Sequence, residues 1–121
     1  MDKLNTKLYV KNPTKSSLRK KGFRYDVECS TKEYDCFTYN FPIDYYHKIP
    51  VVMCRIRIYL DNGETNVDVI NCGDGSLYPA WYLREDRLYN YQKEYLTKID
   101  KKIREELIKL GLILEYSSSG K

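Results

Sequence analysis

The residues with the most evident chemistry are four cysteines, which the chain carries at Cys29, Cys36, Cys54 and Cys72. A structural zinc site usually takes two ligands from a close pair such as C-x-x-C, because one turn must direct both sulfurs at one metal. The sequence holds no such pair, and its one histidine, His47, adds a single further ligand. We therefore predict no metal and no cofactor, and we expect most of these thiols to be small buried residues.

Catalytic motifs are equally sparse. Nucleophilic catalysis of the Ser-His-Asp or Cys-His type needs an imidazole beside the nucleophile, and His47 lies in "DYYHKIP", which is typical of an exposed loop. The glycine-rich "CGDGS" lacks the G-x-x-x-x-G-K-[ST] pattern of a phosphate-binding loop, and "DVINCGDG" lacks the alternating acids of a calcium loop. No motif selects a general acid and base from the 17 acidic residues. We expect no enzyme, and a small nuclease-like enzyme is the third alternative.

The element that would position any site most firmly is a β-hairpin. "VVMCRIRIYL" and "TNVDVINC" flank "DNGE", and Asn-Gly between alternating apolar runs is the strongest short hairpin signal. A two-residue loop at Asn62-Gly63 sets Ile58 opposite Val67 on a nearly apolar face. The other face then carries a directly opposed Arg57–Asp68 pair beside Arg55 and Tyr59. We expect this second face to be either solvated or a working surface.

A second hairpin is predicted upstream. "FRYDVEC" and "CFTYNFPI" alternate apolar and polar residues, and a turn within "STKEYD" joins them. The alternation directs Cys29 to the core and Cys36 away from it. Pro42 and Pro50 bracket a predicted loop, "PIDYYHKIP", before the next strand.

Two helices complete the pattern. A long one over about residues 91–110 places Leu96, Ile99, Ile103, Leu107 and Leu110 on one stripe, with Asn90 as its N-cap and Gly111 at its end. A short one runs from Pro13 to Lys21, with Asn12 as its cap and Gly22 as its stop.

These elements predict an α+β fold with a four-stranded antiparallel sheet of two hairpins, and with the short N-terminal helix and the long C-terminal helix packed on one face. Short extended pieces, "KLYV" and "LILEY", precede and follow this block. We expect one domain over residues 1–116 and a disordered tail at residues 117–121.

An aromatic segment links the last strand to the long helix. Residues 78–95 contain six Tyr or Trp side chains, with Arg84 nearby. Tyr, Trp and Arg are the usual anchors of protein interfaces. Three interpretations remain open: a plug at the end of the sheet, a partner contact, or a small-ligand pocket. The candidate protein-binding residues, on this segment and on the second face of the hairpin, are Trp81, Tyr78, Tyr82, Arg84, Arg55, Arg57 and Tyr59.

The N-terminal segment is basic. Residues 1–24 hold eight Lys or Arg against one acidic residue, whereas the rest of the chain is slightly acidic. Such a segment either forms a solvated helix face or tracks phosphates. The candidate nucleic-acid-binding residues are Lys11, Lys15, Arg19, Lys20, Lys21 and Arg24. No aromatic residue among them could stack on bases, so we expect any such binding to be weakly sequence-specific.

The leading hypothesis is a small intracellular binding module without catalysis, an accessory, regulatory or inhibitory protein that acts by contact with an unknown protein partner. Its Lys-, Tyr- and Ile-rich composition suggests a mobile element as its source. A nucleic-acid-binding protein using residues 11–24 is the alternative. The charged N-terminus shows no signal peptide and no apolar run approaches the roughly 20 residues of a membrane helix, so we expect a cytoplasmic monomer or weak homodimer with reduced thiols and no membrane contact.

Overall fold

The computed structural model describes residues 8–112 and the backbone of residues 114–116. In chain order its elements are β1 (Leu8–Val10), α1 (Lys15–Lys20), β2 (Arg24–Tyr25), β3 (Cys36–Tyr46), β4 (Ile49–Tyr59), β5 (Glu64–Asn71), two 3₁₀ turns (Pro79–Tyr82 and Glu85–Arg87), α2 (Asn90–Lys109) and β6 (Leu114–Tyr116). The predicted tail at residues 117–121 lies outside the described residues.

The strands form one sheet in the order β2-β3-β4-β5-β1-β6, and every pairing between these strands is antiparallel. The α+β class with an antiparallel sheet and a long C-terminal helix is therefore confirmed. The count of four strands is wrong, because among the described residues the sheet has five strands of three residues or more and the two-residue β2. The added strands are the terminal pieces: Leu8 and Val10 of β1 are buried and complete the core beside β5, and β6 pairs with β1.

The hairpin of β4 and β5 has a register two residues away from the predicted one. Ile58 lies opposite Thr65 instead of Val67, and residues 60–63 connect the strands as a four-residue loop. The loop closes with a 2.7 Å hydrogen bond from the Gly63 N–H to the Tyr59 carbonyl. Because a shift of two residues preserves the alternation of sides, the predicted faces are retained while the opposed pairs change.

The predicted loop between Pro42 and Pro50 is instead a continuation of two paired strands. β3 and β4 extend through both prolines and meet at a tight turn, with Tyr46 opposite Ile49. His47 and Lys48 both have positive φ, 49° and 67°, as a two-residue type I′ loop requires. This turn was not predicted from the sequence because neither His47 nor Lys48 is the Gly or Asn that usually occupies such a turn.

The predicted upstream hairpin is largely a loop. Of its predicted first strand, only the two-residue β2 is a strand in the structure. Residues 26–35 form a loop that folds over the sheet face opposite the helices. Cys36 points away from the main core, as predicted, yet it is fully buried because this loop covers it. Cys29 does not face the core, and lies beside Cys36 beneath the same loop.

Both helices end as their glycines predict but begin elsewhere. α1 is a minor helix of six residues whose cap is Thr14, which accepts a 3.1 Å hydrogen bond from the Ser17 N–H. The predicted cap, Asn12, has a φ of 49° and lies outside the helix. α2 begins after Tyr89, whose N–H donates to Gln92 Oε1 at 2.8 Å, one residue before the predicted cap.

The core lies between the sheet and the two helices. Leu18 of α1 and the buried stripe of α2 at Leu96, Ile99, Ile103 and Leu107 pack in one cluster with the inward-facing residues of the sheet. Among the described residues, no helix combines the length and the apolar character that crossing a membrane requires.

Candidate functional site

The sheet surface opposite the two helices, here called the helix-free face, carries the side chains that alternate with the core residues of β3, β4 and β5. The strand register aligns these side chains in rows across the sheet. The first row is Arg24, Thr38, Arg57 and Asn66, the second is Asn40, Arg55 and Asp68, and the third is Pro42, Met53, Ile70 and Leu77. The face therefore changes from polar to apolar along its length.

The apolar end continues onto the tip of the β3–β4 hairpin. β5 ends opposite Val52, so β3 and β4 project beyond it as a two-stranded ribbon. Ile49 is 65% exposed and Leu77 is 48% exposed, while Met53 and Ile70 are half-buried. We call the whole set the apolar patch; it consists of Pro42, Tyr46, Ile49, Val51, Met53, Ile70 and Leu77.

The middle of the helix-free face is organised by Asp68. Its Oδ2 accepts a 2.8 Å hydrogen bond from Arg57 Nη2 and lies 3.5 Å from Arg55 Nη2, while its Oδ1 accepts from the Tyr82 hydroxyl at 2.9 Å. Burial alone would raise the pKa of Asp68, but the hydrogen bonds from Arg57 and Tyr82 and both guanidinium charges outweigh it and lower that pKa below 3.8. Because the single carboxylate of Asp68 pairs with the two guanidinium groups of Arg55 and Arg57, the cluster of these three residues carries a net positive charge.

The polar end of the face is covered by residues 26–35. Asp26 Oδ2 accepts a 2.6 Å hydrogen bond from Thr38 Oγ1, and Arg57 Nη1 donates to Cys29 Sγ at 2.9 Å. The Tyr34 ring meets the Tyr59 ring edge-on, with centroids 5.3 Å apart. Arg57 and Tyr59, both predicted as partner contacts, therefore lie largely beneath this loop, whereas Ile49, Val51 and Leu77 of the apolar patch are exposed.

The aromatic segment covers the part of β5 that extends beyond its short pairing with β1. The Tyr78 N–H donates to the Val69 carbonyl at 2.9 Å, and the Val69 N–H donates to the Tyr82 hydroxyl at 3.2 Å. Trp81 is 4% exposed and belongs to the core cluster. Of the three interpretations of this segment, the burial of Trp81 in the core cluster supports the plug, because a ring with so little exposed surface is not available to a partner.

The predicted protein-binding set is thus divided. Tyr82, Arg55 and Arg57 meet around Asp68, whereas Tyr78 is half-buried against the Tyr95 ring. Arg84 is exposed and pairs with Asp86 at 3.2 Å, two residues along the chain.

The basic segment is not one stripe. Lys15 Nζ pairs with Asp35 Oδ2 at 2.9 Å, and the Arg19 guanidinium lies 5.5 Å from the centroid of the Phe37 ring. Arg24 belongs to the helix-free face, whereas α1 packs on the opposite face. Lys11 and Lys20 are exposed, and Lys21 is half-buried.

Sequence reasoning missed four residues of the apolar patch, which are Ile49, Val51, Met53 and Leu77. Ile49 falls in the predicted loop, and Leu77 falls in none of the predicted strands. The signal that would have found the first three is the alternation in "IPVVMCRIR", which places Ile49, Val51 and Met53 on the same side as Arg55.

No protein-family model and no curated protein sequence matches this chain. Its structure is similar to the crystal structure of a DUF1831 family protein from Lactobacillus plantarum, with a TM-score of 0.56 and 13% sequence identity over 93% of this chain and 90% of that chain. At this identity the likeness concerns the fold, and it carries no residue roles from one protein to the other.

Proposed function

We propose that the chain is a protein-binding module without catalysis, and that it holds its partner on the apolar patch of the helix-free face. The single observation that carries this proposal is the unbroken apolar row of Pro42, Met53, Ile70 and Leu77, which runs into the exposed hairpin tip. Contiguous exposed apolar residues, unlike apolar residues scattered singly over a surface, are a common feature of interaction sites.

The charges beside the patch indicate the chemistry of the partner. Arg55 borders the apolar row, and its side chain is about one third exposed. Its carboxylate partner, Asp68, is held more closely by Arg57. An interface with an apolar centre and a charged rim would pair Arg55 with an acidic residue. We therefore propose a partner that presents an apolar surface bordered by Asp or Glu.

A second copy of the chain suits this surface less well. In a two-fold symmetric dimer the same patch would meet itself. The surplus positive charge beside Asp68 would then face an equal positive charge, which is unfavourable near a desolvated interface. The role predicted from the sequence, an accessory, regulatory or inhibitory protein that acts by occupying its partner, fits a different protein with complementary charge.

Site-specific photo-crosslinking in the native host tests this proposal. A photoreactive amino acid is placed singly at Ile49, Leu77 or Ile108, and each adduct is identified by mass spectrometry. Ile108 is the matched control, because it is apolar and 78% exposed but lies on α2, away from the patch. We expect Ile49 and Leu77 to capture the same protein and Ile108 to capture none of it.

The site of attachment on the captured protein is equally informative. An apolar segment that contains Asp or Glu would support the proposed chemistry. Adducts between two copies of the chain, or equal capture from all three positions, would contradict the proposal. A further photoreactive residue at Lys20 tests the alternative: capture of nucleic acid there, with no protein captured from the patch, would favour the alternative function.

A further inference from the structure

Two thiols and a guanidinium meet beneath the loop at residues 26–35. The sulfurs of Cys29 and Cys36 and a carboxylate oxygen of Asp26 all lie within 4.8 Å of one another. Arg57 Nη1 donates to Cys29 Sγ at 2.9 Å. Both cysteines are free thiols, and they come together because Cys29 belongs to the covering loop while Cys36 begins β3.

The two thiols have different surroundings. Cys29 is half-buried, and it is the thiol that the guanidinium contacts. Cys36 is fully buried, and burial, together with the neighbouring Cys29 and Asp26, raises its pKa to about 12. The Arg57 guanidinium fixes the position of the Cys29 sulfur, whereas burial keeps the Cys36 thiol protonated and away from reagents in solution.

The same geometry disfavours a metal ion. Asp26 and two cysteines offer three ligand atoms of a kind that zinc accepts. The Arg57 guanidinium, however, already occupies a position 2.9 Å from one of the sulfurs, and it would repel a second cation there. Asp26 is also engaged, since its carboxylate accepts from Thr38 Oγ1 and from the Cys29 N–H.

We propose that Cys29 and Cys36 form a peroxide-sensitive thiol pair, in which Cys29 is the attacking thiol, Cys36 is the resolving thiol and Arg57 positions the sulfur of Cys29. The substrate class is a small hydroperoxide. This modification site is independent of the proposed partner-binding patch.

The reaction balances without a further reagent. The Cys29 sulfur attacks the O–O bond of hydrogen peroxide, an S–O bond forms, and the departing hydroxide takes up the Cys29 proton as water. The Cys36 sulfur then attacks the sulfenic sulfur, the S–S bond forms, and the departing hydroxide takes up the Cys36 proton as a second water. The two sulfurs lose two electrons in total, and the peroxide gains them.

The disulfide requires a local movement only. An S–S bond is about 2.05 Å long, so the two sulfurs must approach each other from within their present limit of 4.8 Å. Cys29 lies in a turn outside the strands, where it can move without breaking sheet pairing. Cys36 stays fixed at the start of β3, hydrogen-bonded through its backbone N–H to Ser30 Oγ at 2.9 Å.

Oxidation of the reduced full-length protein tests the proposal. The protein is treated with hydrogen peroxide without denaturant, the reaction is stopped with catalase, remaining thiols are alkylated, and peptides are mapped by mass spectrometry. Cys72 is the internal control, because it is also half-buried but no hydrogen bond or ion pair to a guanidinium is found for it among the described residues. We expect the Cys29–Cys36 disulfide to form at least about tenfold faster than Cys72 is oxidised.

Three variants separate the roles of the residues. Cys36→Ser should stop the reaction at a sulfenic acid on Cys29, which a cyclic 1,3-diketone traps. Arg57→Gln should slow oxidation of Cys29 by about tenfold, whereas Arg55→Gln, a neighbouring arginine without a sulfur contact, should leave the rate unchanged. Thermal unfolding of each variant verifies that the fold is retained.

The proposal would be overturned by any of three results. One is oxidation of Cys72 before Cys29. Another is a combined negative result, in which the peroxide-treated protein forms no Cys29–Cys36 disulfide and no sulfenic acid is trapped on Cys29 of the Cys36→Ser variant. The third is stoichiometric zinc in the purified protein that Cys29→Ser removes, since that would make the cluster a metal site.

Discussion

Arg57 and Asp68 are diagonal neighbours across β4 and β5: Arg57 lies directly opposite Asn66, yet its Nη2 atom donates to Asp68 Oδ2 at 2.8 Å. The residue directly opposite Asp68 is Arg55, whose Nη2 atom is 3.5 Å away. Asp68 therefore joins two positions of β4, and the Tyr82 hydroxyl ties the same carboxylate to the segment that covers part of β5.

Removing the charge of Asp68 should destabilise the fold. Asp68→Asn keeps the shape but weakens three interactions at once, and the Nε atoms of Arg55 and Arg57 are already buried without a hydrogen-bond partner among the described residues. We expect a loss of about 2 kcal/mol in the free energy of unfolding, measured in urea. Asp86→Asn is the control: it removes only the exposed pair with Arg84, and should cost less than about 0.5 kcal/mol.

The Asp68 carboxylate should also make the free energy of unfolding depend on pH. The pKa of Asp68 is lowered in the folded protein, so the unfolded state binds its proton at a higher pH than the folded state does. The stabilisation is therefore present above the ordinary value of 3.8 and is lost as the pH falls below it through the folded pKa. When urea unfolding is measured at a series of pH values, the free energy of unfolding of the parent protein should fall as the pH decreases through this range. In Asp68→Asn it should fall less steeply. Equal slopes would show that Asp68 is not the linked group.

Trp81 should behave as a core residue. Because it is 4% exposed within the main cluster, Trp81→Ala should leave a cavity and cost about 3–5 kcal/mol of unfolding free energy. Leu77→Ala, four residues earlier on the exposed patch, should cost less than about 1 kcal/mol. Comparable losses in the two variants, measured by chemical denaturation, would contradict the assignment of Trp81 as the plug.

The basic segment should not confer strong nucleic-acid binding. Lys15 is paired with Asp35, Arg19 lies over the Phe37 ring, and Arg24 lies on the other side of the sheet. Fluorescence anisotropy with random DNA and RNA at two salt concentrations should detect no more than weak binding that salt abolishes. Tight binding that Lys20→Glu with Lys21→Glu eliminates would instead support the nucleic-acid hypothesis.

The sequence was sufficient for the sides of the strands but not for their register. Alternation in β4 and β5 identified Cys54, Ile56 and Ile58 as inward-facing, and they are buried. The turn was misplaced because its geometry depends on a distant strand: the Val10 N–H donates to the Gly63 carbonyl at 2.8 Å. A Cβ on Gly63 would lie 2.2 Å from the Val10 oxygen, so β1 fixes a glycine at this point of the loop. No local pattern in "DNGE" carries that information.

The thiol pair and the apolar patch escaped sequence reasoning for a similar reason. Cys29 and Cys36 meet only because residues 26–35 fold over the sheet, held by contacts such as Asp26 with Thr38. The row that ends in Leu77 exists only because the chain returns along β5 after the turn at residues 72–75. Both are consequences of tertiary packing, whereas helix periodicity and the glycine stops at Gly22 and Gly111 are local and were predicted correctly.

Binding of the photo-crosslinked partner to charge-bearing variants of the patch is the most direct measurement of the central claim. Ile49→Asp with Leu77→Asp places two charges on exposed positions, so folding should be retained while the dissociation constant rises at least about tenfold. Arg55→Glu should also weaken binding, whereas Ile108→Asp on α2 should leave the dissociation constant unchanged. Unchanged affinity in the Ile49–Leu77 double variant, with its fold intact by circular dichroism, would contradict the assignment of the helix-free face as the binding surface.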